Sequence, residues 1–228
     1  MKRLLTFTMI LVIMYACKKE ADPVKQEIRT SDSVKIIDKK ESNNQSSPIF
    51  KELIAFANIE VGYDTNPEKF FQVKTIDPNG NLSDSNIIKG IDLYKKALKS
   101  QSVDILPIFE IINTDQVILI VKGKGYMDII WAKVLINKNT QKISKISFGH
   151  VAESEGYGAA ITYNTFENKF TGAKISFSKN TFGLTQNGKN LIKGGQKIDG
   201  ISGATITSQA VVQMLNTELK KYQSYLLD

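Results

Sequence analysis

Residues 199–208 read Asp-Gly-Ile-Ser-Gly-Ala-Thr-Ile-Thr-Ser, with two glycines and four hydroxyl side chains directly ahead of an apolar-striped segment. Thr207 or Ser208 suits the N-cap of a helix running from about Gln209 to Tyr225, because a hydroxyl oxygen there takes up an orphaned backbone N–H. Gly200 and Gly203 permit a tight turn before it. Amides exposed at a helix start, with the helix dipole behind them, form a natural phosphate site. Such a turn can equally serve as a plain cap with nothing bound.

Other chemistry-bearing residues narrow the field. His150 is the only histidine, so no histidine cluster can hold a metal; it reads as a polar residue at a strand end. Cys17 is the only cysteine, which excludes an internal disulfide and a paired-cysteine metal site. Glu153 and Glu155 share a glycine-rich loop with no third partner, which argues against hydrolase chemistry. No dinucleotide fingerprint follows a strand, so oxidation of NADH by this chain alone is not expected. The net charge of +7 comes from scattered lysines and arginines with no aromatic-interleaved basic stripe, which excludes a nucleic-acid surface.

The elements that must position these residues are clearest after residue 105. Gln116 to Val121 and Ile129 to Ile136 read as strands flanking the loop Gly-Lys-Gly-Tyr-Met-Asp at 123–128, and Ile143 to Phe148 as a third. Short links between them favour an antiparallel meander over a doubly wound nucleotide fold. A second glycine loop, His-Val-Ala-Glu-Ser-Glu-Gly-Tyr-Gly, follows at 150–158. Phe166 and Phe170 suggest a short helix and Ala173 to Phe177 a further strand, with a turn-rich stretch to Asp199. Val212, Leu215, Leu219 and Tyr222 form one stripe of the last helix, as for a helix docked on a sheet. Earlier, Asp-Pro-Asn-Gly-Asn at 77–81 is a turn, 88–98 is helical, 106–112 is extended, and the segment from 51 is helix or strand. The expected fold class is α+β, a largely antiparallel sheet with packed helices and a C-terminal helix after the 199–208 turn.

Three segments in order carry a family resemblance. Gly123–Val134, Gly149–Ile161 and Lys197–Val211 together resemble the FMN-binding domains found in the C subunit of the sodium-translocating NADH:quinone reductase and, more distantly, in the G subunit of the Rnf electron-transport complex. In that family an Asp, two residues and Ser-Gly-Ala-Thr form a flavinylation motif. The resemblance implies an electron-transfer flavoprotein whose FMN is esterified through its phosphate to a threonine by a flavin transferase using FAD and magnesium. Thr205 is the implied acceptor and Thr207 the alternative; Asp199, Ser202, Gly203 and Ala204 complete the motif. Glu153 matches the family's loop acid, Gly156 and Gly158 would let backbone approach the flavin, and Tyr157 would pack near its ring. Ser154-Glu155 departs from the family's Thr-Pro, and Asp128 from its small residue.

The N-terminus sets the expected location. Met1-Lys2-Arg3 precedes 13 mostly apolar residues, Leu4 to Ala16, which suits an export signal better than a membrane span. Cys17 directly after it resembles the lipidated cysteine of bacterial lipoproteins. The reading is a signal and lipidation segment at 1–17, a polar linker at 18–47 and a folded region at 48–228, with the FMN-binding domain at about 105–228. The chain would be extracytoplasmic and membrane-tethered, by lipid or a single anchor, and would serve a redox partner protein or membrane complex. The alternative is a membrane-tethered binding or scaffold lipoprotein without flavin.

Overall fold

The computed structural model describes residues 47–62, 66–100 and 103–228. The expected signal segment, Cys17 and all of the linker but Ser47 lie outside these residues.

Six strands form one antiparallel sheet in the order β2-β1-β3-β4-β5-β6: β1 Phe71–Ile76, β2 Leu82–Ser85, β3 Leu106–Ile111, β4 Gln116–Lys124, β5 Ile129–Asn137 and β6 Lys142–His150. The apolar run of β4 reflects burial on both faces. Val117, Leu119 and Val121 point to one core, Ile118 and Ile120 to the other, as a period of two requires. The second core is roofed by α1 (Pro48–Ala57) and α2 (Ile87–Ala97). Pro48 opens α1, where a missing amide costs nothing, and the Asn86 side chain caps α2 by accepting from the Lys89 N–H. The expected 77–81 turn joins β1 to β2, its Asp77 carboxylate accepting from the Asn79 and Asn81 amides. Residues 48–112 therefore supply half of the same sheet. Among the described residues every member of both cores lies within residues 50–226, which gives this region the buried surface that independent folding requires.

The first core is covered by the short α3 (Asn164–Glu167), α4 (Thr205–Glu218), a 3₁₀ turn (Leu219–Tyr222) and α5 (Gln223–Leu227). Two expectations are corrected here. Ala173 to Phe177 is no strand. Ala173 and Ile175 are buried, yet the segment makes one isolated bridge, Lys174 opposite Lys142, along the edge of β6. The stretch before Asp199 is not merely turns; it folds as a three-stranded sheet, β7 Phe182–Gln186, β8 Lys189–Ile192 and β9 Gln196–Asp199, with β7 and β9 parallel. Asn216 of α4 clamps that sheet by accepting from the Phe182 N–H and donating to the Phe182 carbonyl, both at 2.9 Å. The helix 205–218 and the small sheet therefore hold the 199–204 turn from both ends.

Candidate functional site

The helix begins at Thr205, four residues earlier than capping logic placed it, with Ala204 as N-cap and no side-chain cap. The reason is tertiary. Ser208 Oγ accepts from the Ile201 N–H at 2.9 Å and staples the preceding turn back onto the helix. Thr207 Oγ1 donates instead to Glu153 Oε2 at 2.8 Å. Both hydroxyls sit inside the first turn of α4, buried, and neither caps it. The first intrahelical bond is Ser208 N–H to the Ala204 carbonyl, so the amides of Thr205, Ile206 and Thr207 have no partner in the helix.

Three loops meet at this helix start. The β4–β5 hairpin loop is shorter than the 123–128 expected, because Gly123 and Lys124 continue β4; the Gly125 N–H closes it on the Asp128 carbonyl at 2.7 Å. The second loop leaves β6 at His150, whose Nδ1 accepts from the Glu153 N–H at 3.2 Å. Glu153 is 7% exposed. Its Oε1 accepts from the Met127 N–H at 2.9 Å while its Oε2 holds Thr207. One carboxylate thus ties the hairpin loop, its own loop and α4 together. Gly158 must be glycine for this: a Cβ there would stand 2.9 Å from Thr207 Oγ1 and collide with the Glu153 carboxylate. Gly203, at φ +75°, takes a left-handed conformation, and its bare Cα lets the Tyr157 ring lie over it.

Between these loops opens a cleft of about 410 Å³, the most spacious of four described. Of the residues expected from sequence, Glu153, Tyr157, Gly158, Gly203, Ala204, Thr205 and Thr207 line it. Ser202 is exposed beside it, and Gly156 stands in open space at φ +73°. Asp199 does not line the cleft. It ends β9, exposed, and its carbonyl accepts from Lys169 Nζ at 2.8 Å. Tyr126, Ser154 and Ile206 line it too and were not expected. A glycine-flanked aromatic could have flagged Tyr126; nothing local marks Ile206, which reads as a helix residue. Tyr126 (59% exposed), Tyr157 (58%) and Ile206 (56%) give the mouth an apolar rim, continued by Met127.

The two candidate hydroxyls differ sharply. Thr207 is 3% exposed and committed to Glu153. Thr205 is half-buried at the cleft, and among the described residues nothing takes up its hydroxyl. With three unclaimed amides, glycine-lined walls and aromatic sides, the cleft fits a phosphate-bearing ring system. Among the described residues no group of three or more His, Cys, Asp or Glu could hold a metal ion.

Residues 125–220 match the FMN-binding domain family. The C subunit of the Na(+)-translocating NADH-quinone reductase of Haemophilus ducreyi is 28% identical over 99 residues, covering 43% of this chain and 38% of that protein. The corresponding Chlamydia muridarum protein is 27% identical over 151 residues, covering 59% and 46%. The chain spans less than half the length of these curated relatives. The crystal structure of the same subunit from Parabacteroides distasonis superposes with a TM-score of 0.61 at 23% identity, covering 79% of this chain and 92% of that one. For Shewanella oneidensis NqrC the TM-score is 0.60 at 16% identity, covering 78% and 94%. At these identities the structural likeness speaks for the fold.

Proposed function

We propose, since the sequence comparisons point to the NqrC family and its FMN-binding domain and the fold agrees, that this chain is an electron-carrier flavoprotein of a membrane-associated redox chain. Its FMN is esterified through the phosphate to Thr205. It is a carrier within a larger oxidoreductase system, not a self-sufficient enzyme. The observation that carries the reading is the split between the two threonines: the motif's own threonine stands in the cleft at an uncapped helix start, while its neighbour is locked to Glu153.

The chain's own residues do the following. The amides of Thr205, Ile206 and Thr207, with the α4 dipole behind them, would hold the phosphodiester and offset its charge. The Thr205 hydroxyl would be the acceptor for the phosphoryl end of FMN, its proton released with AMP as the FAD donor is cleaved; a flavin transferase with magnesium is the partner that attachment requires. Tyr157 and Tyr126 would flank the ring, with Gly158 and Gly203 letting Glu153, Thr207 and the Tyr157 ring pack where they do beside it. Glu153 fixes the walls around it. Ser202 and Ala204 shape the turn, while Asp199, outside the cleft, serves recognition by the transferase. FMN supplies the redox chemistry, accepting one or two electrons. The exposed rim of Tyr126, Met127, Tyr157 and Ile206 gives a redox partner an apolar face at close range to it. Covalent attachment keeps the cofactor on a protein held outside the cytoplasm, tethered through Cys17 or a single anchor. Among the described residues no helix is long and apolar enough to cross a membrane.

The test is the intact mass of protein coexpressed with a flavin transferase. Wild type and Thr207→Val should gain one FMN, and Thr205→Ala none. A wild type that stays colourless beside a control target that is flavinylated would refute the reading in favour of a flavin-free scaffold. A gain surviving in Thr205→Ala would move the linkage to Thr207.

A further inference from the structure

We propose that the face built around the small sheet, residues 168–198, is a docking surface for an anionic lipid bilayer. The chain's lysines are spread along its whole length, but its acids are not. Between Glu167 and Asp199 there is no Asp or Glu, and Lys169, Lys174, Lys179, Lys189, Lys193 and Lys197 fall in that gap. These six outweigh the net excess of the whole region 47–228, whose remaining residues are slightly acidic. The fold brings three of them, Lys174, Lys179 and Lys193, close together. Lys174 and Lys179 line a shallow cleft with Asn180, Gly195 and Gln196, and the Asn180 side chain donates to the Lys193 carbonyl. Lys142 joins from β6, directly opposite Lys174. Of the two flanking acids, Asp199 stands exposed at the border of the face and Glu167 is withdrawn from it. Glu167 is buried, its carboxylate accepting from the Phe148 N–H, and none of the described ion pairs involves these lysines. Lys174, Lys179, Lys189, Lys193 and Lys197 are all exposed.

The chemistry favours lipid over a protein partner. A specific protein interface is anchored by large apolar or aromatic side chains buried at its centre. Here the gap between Glu167 and Asp199 exposes one such side chain, Leu191, whereas the cleft rim exposes several. A broad set of exposed lysines with no anchor suits the diffuse field of anionic headgroups, where each lysine near the surface raises binding about fivefold. The inference rests on the membrane-tethered part of the proposed function. A chain held at a bilayer meets that surface at high effective concentration, so weak contacts suffice to set its orientation.

The experiment uses flavin-free protein of residues 47–228, so that its outcome is independent of cofactor attachment. Co-sedimentation is measured with vesicles of phosphatidylcholine alone and with about one-third phosphatidylglycerol, at about 0.05 M and about 0.5 M salt. Binding is expected with the anionic vesicles alone and should vanish at high salt. Lys174→Glu/Lys179→Glu/Lys193→Glu should lose binding by well more than about 100-fold, since each substitution reverses a charge. The charge-matched control Lys95→Glu/Lys96→Glu/Lys99→Glu, on and just after α2, should keep most of it. The milder Lys174→Gln/Lys179→Gln/Lys193→Gln should show an intermediate loss if the first variant folds poorly. No binding to anionic vesicles, equal binding to neutral ones, or equal loss in both glutamate variants would each overturn the proposal. The mass measurement above would stand or fall separately.

Discussion

Removing the Glu153 carboxylate tests how the cleft is held together. Its two oxygens accept from the Met127 N–H at 2.9 Å and the Thr207 hydroxyl at 2.8 Å. Met127 is an exposed residue, so its amide can recruit water when the carboxylate is gone. Thr207, 3% exposed, cannot. An unsatisfied buried hydroxyl costs about 1–3 kcal/mol, and a bond to a charged acceptor contributes about 1.5–3 kcal/mol. Glu153→Ala should therefore destabilise by about 3–4 kcal/mol, a large share of a typical domain's stability. Glu153→Gln should cost about 1 kcal/mol, because the amide oxygen can still accept from Met127 while its NH₂ turns to the Thr207 oxygen. Equilibrium unfolding in urea of Glu153→Ala, Thr207→Val and the double variant gives the coupling directly, expected at about 1.5 kcal/mol. The three loops joined by this carboxylate form the walls around Thr205. Flavin incorporation into Glu153→Ala should slow although the acceptor hydroxyl is intact. A coupling below about 0.5 kcal/mol, or a glutamine variant as damaged as the alanine one, would refute the role given to Glu153.

Gly158→Ala places a methyl against both Thr207 Oγ1 and the Glu153 carboxylate, so it should destabilise by about 1–3 kcal/mol in urea unfolding and reduce flavin loading. Asn216→Ala leaves both backbone groups of Phe182 without their clamp in a buried setting, a loss of about 2–4 kcal/mol, and hydrogen exchange in β7 should accelerate. Burial raises the Glu167 carboxyl above the ordinary carboxylate value of 4.5. The native state therefore holds its proton to higher pH than the unfolded chain does, and stability should fall as pH rises from the ordinary range through the raised value. Glu167→Gln, which can still accept from the Phe148 N–H, should flatten that part of the pH–stability curve; an unchanged slope would assign it to other groups.

Legibility followed the range of the interaction that decides each element. The 77–81 turn is set by an aspartate bonding amides two and four residues on, and it could be read directly. The continuous apolar run of β4 read as a strand, and the structure buries it on both faces. The small sheet gave no such signal. β8 is polar and largely exposed, and β7 finds its parallel partner across an intervening strand, so neither length nor alternation marked it. Residues 173–177 failed in the opposite way. Ala173 and Ile175 do alternate inward, but their backbone meets the edge of β6 at one bridge, and a pattern of side chains cannot count ladder bonds.

The site shows the same limit at closer range. Seven residues of sequence, 199–205, sufficed to point to the cleft, since Gly203, Ala204 and Thr205 all line it. They could not separate Thr205 from Thr207. The resemblance favoured Thr205, but with a helix starting at about Gln209 both threonines would sit in the preceding turn, where sequence does not place their side chains. Starting the helix at Thr205 places them two apart on it, and residues at that spacing do not share a face. One hydroxyl then goes to the cleft and the other inward. What moves the start is Glu153, 54 residues earlier in the chain, which takes the Thr207 hydroxyl that would otherwise cap. The long-range carboxylate decides which threonine hydroxyl is left facing the cleft. Thr207→Val should for that reason lose stability and keep its flavin, whereas Thr205→Ala should keep stability and lose its flavin.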